Sequence, residues 1–178
     1  MALNGTRTLR GALAGAAGAA VWAAQQPLDK RVFDVDYDDV ELLGKLFTRG
    51  PGWLPAGLAA HVGNGALFGA VYANLAPSLP GPRAVWGPLA GLAEHLATWP
   101  ATMLFDRVHP AAAGFPELWG NPRAFAQAAW RHALFGFVMG ELERRLNPPA
   151  DTPAPIDDAA VASNGHGSAE HLVTVEPV

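Results

Sequence analysis

The segment GPGWLPAGLAAHVGNGALFGAVYANLAPSLPGP, Gly50 through Pro82, runs for thirty-three residues without an Asp, Glu, Lys or Arg. A bilayer asks for this kind of composition, because about 20 apolar residues at 1.5 Å rise cover its hydrocarbon core. Three other stretches repeat it in weaker form, so the sequence predicts four spans: Gly11 to Leu28, Pro55 to Ala76, Ala84 to Phe105 and Ala124 to Leu142. Charged residues are 16% of the chain, against roughly 25% in ordinary soluble domains. The competing fold is an Ala-rich soluble four-helix bundle. Against it stand glycines four apart in every segment: Gly11 and Gly15, Gly65 and Gly69, Gly87 and Gly91, Gly136 and Gly140. That spacing lets helix backbones approach in lipid, whereas each such glycine costs a soluble helix about 1 kcal/mol relative to Ala.

Arg7 and Arg10 ahead of an apolar stretch also suit a secretory signal peptide, but an internal repeat argues against cleavage. At a shift of 76 residues GALAGAA from Gly11 lies on GPLAGLA from Gly87, and Leu28, Arg31, Val32, Glu41, Leu42 and Gly44 recur at Leu104, Arg107, Val108, Glu117, Leu118 and Gly120. After about nine extra residues in the first copy, ALFGAVYANL from Ala66 lies on ALFGFVMGEL from Ala133. Each copy, residues 9–77 and 84–146, holds two spans, so both enter from the same side and the repeat is parallel. The expected architecture is an all-α, four-transmembrane-helix bundle from two helix-loop-helix repeats, with both termini on one face. Arg7, Arg10, Arg144 and Arg145 lie tight against the first and last helices, which by the positive-inside bias makes that face cytoplasmic.

The remaining composition narrows the function. With no cysteine, the chain has neither disulfides nor thiolate chemistry. Its formal charge of −4 is concentrated after Arg145, where five acids (Asp151, Asp157, Asp158, Glu170, Glu176) stand without a base. No basic patch for nucleic acid exists. Residues 147–178 are Pro-, Ala-, Ser- and Asp-rich, the composition of a disordered acidic tail.

The motifs G-x-x-A-G (Gly11, Ala14, Gly15), Trp22, Pro27, Leu28 and Arg31, then Trp86 before Gly87, Leu89 to Gly91, Pro100 and the basic exit ELERRL from Glu141, form a set. In them the chain resembles the uncharacterised bacterial inner-membrane proteins of the YagU type, over most of residues 9–146. The resemblance implies a four-span bacterial inner-membrane protein and brings no activity or catalytic residue with it.

Chemistry is expected at mid-membrane. Glu94 and His95 lie at the centre of the third segment, Arg131 and His132 at the centre of the fourth, and His61 and Asn64 in the second. An ionisable group at that depth costs about 2.5–3.5 kcal/mol or more, so these side chains should face the bundle and find partners. One reading is interhelical glue with a Glu94–Arg131 ion pair. Another is a proton or ion relay. Haem ligation by two of His61, His95 and His132 has no second signal behind it, so no cofactor and no metal are expected.

Asp34, Asp36 and Asp38 begin like a calcium loop, but Asp39 replaces its turn glycine and Lys45 its bidentate Glu. Instead, Asp38 or Asp39 should cap the amphipathic turn VELLGKLF. Pro100 should kink the third helix. No catalytic signature appears, so the chain is expected to be non-enzymatic: a structural or accessory inner-membrane protein with a membrane-protein partner or a second copy, or else a small proton- or ion-coupled transporter using the polar cluster.

Overall fold

A computed structural model of the chain describes residues 4–148, and within them it is all-helical, with no strand. Its elements are α1 (Gly5–Phe33), α2 (Asp39–Phe47), α3 (Trp53–Leu75), α4 (Arg83–Thr98), α5 (Thr102–Val108) and α6 (Pro122–Leu146). The acidic tail expected over residues 147–178 lies outside the described residues but for its first two, and of these Asn147 is buried, capping α6 and accepting from Arg83 at 3.1 Å.

Local chemistry sets these boundaries. Asn4 caps α1 by accepting from the Arg7 amide, and Asp38 caps α2 by accepting from the Val40 and Glu41 amides at 2.8 and 3.0 Å. Asn121 caps α6, with Pro122 in its first turn where the missing N–H costs nothing. Trp99–Ala101 is a 3-10 turn joining α4 to α5, placed where Pro100 cannot supply an α-helical amide. Helix α1 runs past Pro27 to Phe33, five residues beyond the Leu28 at which the apolar count ends its segment. It stops at Asp34, which has a left-handed backbone with φ 55°.

Packing follows the glycines. Helix α1 lies on α3, α6 on α4, and α1 on α6, while α3 and α4 form no packed interface with each other. In the first pair Gly11 and Gly15 meet Gly65, Gly69 and Ala73; a Cβ on Gly15 would be driven into the carbonyl oxygen of Gly65. In the second pair Gly87 and Gly91 meet His132, Gly136 and Gly140, where a Cβ on Gly91 would strike the His132 carbonyl oxygen. Helix α2 seats on α3 by the same device, Gly44 against the Trp53 carbonyl and Gly57 against that of Val40.

Polar contacts fix the helix directions. The start of α1, the end of α3, the start of α4 and the end of α6 share one end: Asn74 reaches Asn4 and Thr8, Arg10 donates to the Leu146 carbonyl at 3.0 Å, and Arg83 grips Glu143. The opposite end holds α2, α5 and the connections flanking them, with Asp106 accepting the Leu118 and Trp119 amides.

Polarity is distributed inside out. The largest fully buried side chains include Arg131, His95, Gln26, Gln127, Glu143 and Asp29. The long helices meanwhile turn apolar side chains outward, with Leu13 59%, Leu67 65%, Leu96 62% and Phe137 58% exposed. One helical stretch among the described residues, Trp53–Ser78, is long and apolar enough by hydropathy to cross a membrane, where the sequence led us to expect four. The other helices fall below that measure because Ala and Gly dilute their hydropathy and they carry the charged groups that the bundle buries.

Candidate functional site

Five of the six residues expected in the polar cluster line a cavity of about 370 Å³ in the gap between α3 and α4. His61 and Asn64 come from α3, Glu94 and His95 from α4, and His132 from α6. Helices α1 and α6 close the back of the cavity with Trp22 and Phe135, and Tyr37, Asp39 and Leu42 roof it. Its walls are largely aromatic, with Phe68 on α3, Trp99 after α4 and Phe105 on α5. The rim residues Asn64 and Thr98 are exposed.

Hydrogen-bond geometry assigns the protons. His132 Nδ1 lies 2.7 Å from the Ala128 carbonyl oxygen, which can only accept, so Nδ1 carries a hydrogen. Nε2 therefore faces Glu94 Oε2, 3.3 Å away. The two atoms stand at charge-pair distance rather than in an aligned hydrogen bond, and one proton on either of them makes the pair neutral. Without it, a carboxylate would face an imidazole lone pair. The pair is thus neutral with its proton and carries one negative charge without it. His61 Nε2 donates to the Ala19 carbonyl at 3.2 Å, which fixes its tautomer likewise.

His95 differs from both. It is 1% exposed, and neither ring nitrogen has a hydrogen-bond partner among the described residues. Its ring sits among those of Phe125, His132 and Trp99, at centroid distances of 4.6, 5.0 and 5.4 Å. Buried polar atoms without partners are rare and costly, so this imidazole stands apart from the other side chains of the cavity wall.

Arg131 is not part of the cavity, and the expected Glu94–Arg131 pair does not form. Its guanidinium makes a bidentate pair with Asp29, Nε to Oδ2 at 2.7 Å and Nη2 to Oδ1 at 2.6 Å; Nη1 reaches Asp39 at 2.6 Å, and Nη2 also donates to the Tyr37 carbonyl at 3.1 Å. Gln127 and Gln25 donate to Asp29, and Gln26 bonds the Asp38 side chain and the Asp39 amide. The reason is rotational: adjacent helix positions point about 100° apart, so Arg131 faces α1 while His132 faces α4. Tyr37 stacks on this guanidinium at 4.4 Å, and burial, with Asp39 alongside, pushes its phenol well above the ordinary value. Trp22 joins the two sites by donating to Asp39 at 3.0 Å while its ring meets those of His61 and His132 edge-on.

A second buried charge lies at the opposite end. Glu143, 1% exposed, accepts from Arg83 Nη2 at 2.7 and 3.0 Å and from Arg7 Nη1 at 3.5 Å. Composition hides both ionic centres, since Asp29 falls just past an apolar stretch and Glu143 stands inside the charged run ELERRL. The Gln25–Gln26 pair before Asp29 is the signal that marks the first.

No group of three or more His, Cys, Asp or Glu among the described residues is arranged to hold a metal ion. Comparison of the chain with family models, with curated proteins and with solved structures gave no match.

Proposed function

We propose that this chain is a four-span integral membrane protein made of two parallel repeats, with both termini cytoplasmic, and that it acts as a small proton-coupled transporter using the Glu94–His132 pair. The inside-out polarity carries the proposal: Leu and Phe side chains face outward along the helices, while carboxylates, guanidinium and imidazoles fill the interior. In water such a surface would leave large apolar side chains exposed along every long helix, which stable soluble monomers rarely do. In lipid it is the expected arrangement. The repeat is supported by matching contacts, because Gly15 on Gly65 and Gly69 corresponds, at the two sequence shifts, to Gly91 on His132 and Gly136. Gathering of both ends of the bundle's chain at one end of the helices supports an even number of crossings.

The transport half rests on the cavity. A structural ion pair needs no room, yet Glu94, His95 and His132 border about 370 Å³. The fully paired Arg131 and Glu143 centres favour the alternative, a structural or accessory membrane protein. Proteoliposomes enclosing a pH-sensitive dye separate the two. Transport predicts that wild-type protein speeds collapse of an imposed pH gradient beyond the rate of empty vesicles, and that Glu94→Gln removes the increment. Equal rates for wild type, variant and empty vesicles would leave the accessory role.

A further inference from the structure

We infer that the cavity binds an amphiphilic organic ammonium ion, a cationic N–H head on an aromatic apolar body, in exchange for one proton. This rests on the proton-coupled reading and names its substrate.

Charge gives the sign of the ligand. The cavity is bordered by two carboxylates, Glu94 and Asp39, and by no Lys or Arg. Asp39 is already matched by Arg131 and Trp22. Glu94 has only the His132 imidazole beside it, at 3.3 Å, so the one charge this site can exchange is positive. The other titratable groups facing the pair do not alter that balance. His61 on α3 is committed to the Ala19 carbonyl, Tyr37 packs on Arg131, and His95 on α4 is unpartnered.

His95 gives the head chemistry. A neutral imidazole keeps one nitrogen as an acceptor in either tautomer, and in this ring both nitrogens are buried without a partner among the described residues. An ammonium N–H supplies the missing donor. The body follows from Trp99, Phe68, Phe105 and Phe135, whose ring faces attract a cation when water is excluded. Between α3 and α4 the exposed rim residues Asn64 and Thr98 mark the entrance, and Asn64 makes no side-chain hydrogen bond among the described residues. An anion would meet two carboxylates, and a neutral molecule would leave the pair's proton where it is.

The exchange balances without covalent change. The head enters as R–NH3+ and donates to the Glu94 carboxylate and to a His95 nitrogen. The proton held by the Glu94–His132 pair leaves to water. His132 stays neutral on its Ala128 hydrogen bond, and the charge within the cavity is the same before and after.

Three probes sharing one ring system test this on the detergent-purified full chain: 2-(1-naphthyl)ethylammonium, the neutral 2-(1-naphthyl)ethanol and the anionic 1-naphthylacetate. Titration in weakly buffered solution should show the ammonium binding with close to one proton released per ligand. Its affinity should rise about tenfold per pH unit while the pair still holds its proton. The alcohol should bind about tenfold more weakly or less, and the acetate not at all. His95→Phe, which keeps an apolar ring, should lower ammonium affinity about tenfold without changing proton release per bound ligand. Alcohol or acetate binding as tightly as the ammonium, or ammonium binding without proton release, overturns the assignment in wild-type protein, whatever the variants do. If that happens while gradient collapse still depends on Glu94, only the substrate is wrong. Glu94-independent collapse would remove the proton-coupled function itself.

Discussion

Arg131 on α6 and Asp29 near the end of α1 form a bidentate ion pair, both members within 1% of complete burial, and this pair locks the two central helices together. Fully desolvated charges contribute little net stability when matched, but stranding one costs about 3–5 kcal/mol. Asp29→Asn should therefore sharply lower the thermal unfolding temperature in detergent. Glu94→Gln, whose carboxyl is shared only with His132, should shift it little. The reverse order in a melting series would mean that Arg131 answers to Glu94 after all.

At the other end Glu143 takes two arginines unequally, since Arg83 Nη2 alone reaches both carboxylate oxygens, at 2.7 and 3.0 Å, and Arg7 stands off at 3.5 Å. Glu143→Gln should cost about 3–5 kcal/mol by leaving Arg83 unmatched. Arg83→Gln should be more damaging than Arg7→Gln. Equal melting temperatures for the two arginine variants would show that the carboxylate does not discriminate between them.

The glycine seams make a prediction with an internal control. Gly15→Ala pushes a Cβ onto backbone atoms of Gly65 and Gly69 that cannot yield, so α1 and α3 must separate, at about 1–3 kcal/mol or more. Gly63 lies in the same helix pair with nothing within 4 Å of its Cβ position. Gly63→Ala should leave stability level or slightly raised. Comparable losses from both would mean the seam is looser than the backbone contact requires.

Topology can be read directly because the native chain contains no cysteine to remove. Single cysteines at Asp36 and Gly114 should be labelled by a membrane-impermeant maleimide from the periplasmic side of intact cells, and one at Ala2 only after lysis. Labelling of Ala2 and Gly114 from the same side would break the two-repeat scheme.

Much of the fold was legible in the residues. The four glycine pairs coincide with the α1–α3 and α4–α6 seams, Asp38 caps α2, and Pro100 breaks the third long helix into α4 and α5. Among the described residues, the one helical stretch long and apolar enough to cross a membrane, Trp53–Ser78, is the segment free of charge. What failed was the partner of Arg131. Depth along a helix can be counted from sequence, but azimuth cannot until neighbours are known, and one residue separates Arg131, facing α1, from His132, facing Glu94. The apolar count also ended the first segment at Leu28, because Asp29, Lys30 and Arg31 look like a boundary. Asp29 is instead carried inside on the next turn, with Gln127 and Arg131 waiting for it. The cavity was unreadable for a related reason: it exists because α3 and α4 fail to meet, and no local pattern reports a contact that is missing.

That missing contact has a mechanical side. Helices α3 and α4 ride on separate glycine seams, α3 on α1 and also on α2, α4 on α6, and the two inner helices α1 and α6 are fastened at both ends by buried charge. The stiff part of the molecule is therefore its middle, and the compliant coordinate is the separation of the two outer helices. Among the described residues no packed interface between them sets that separation, so on the proposed membrane reading it is left to lateral pressure: a tense or thin bilayer and a compressed one would give the same chain different gap widths.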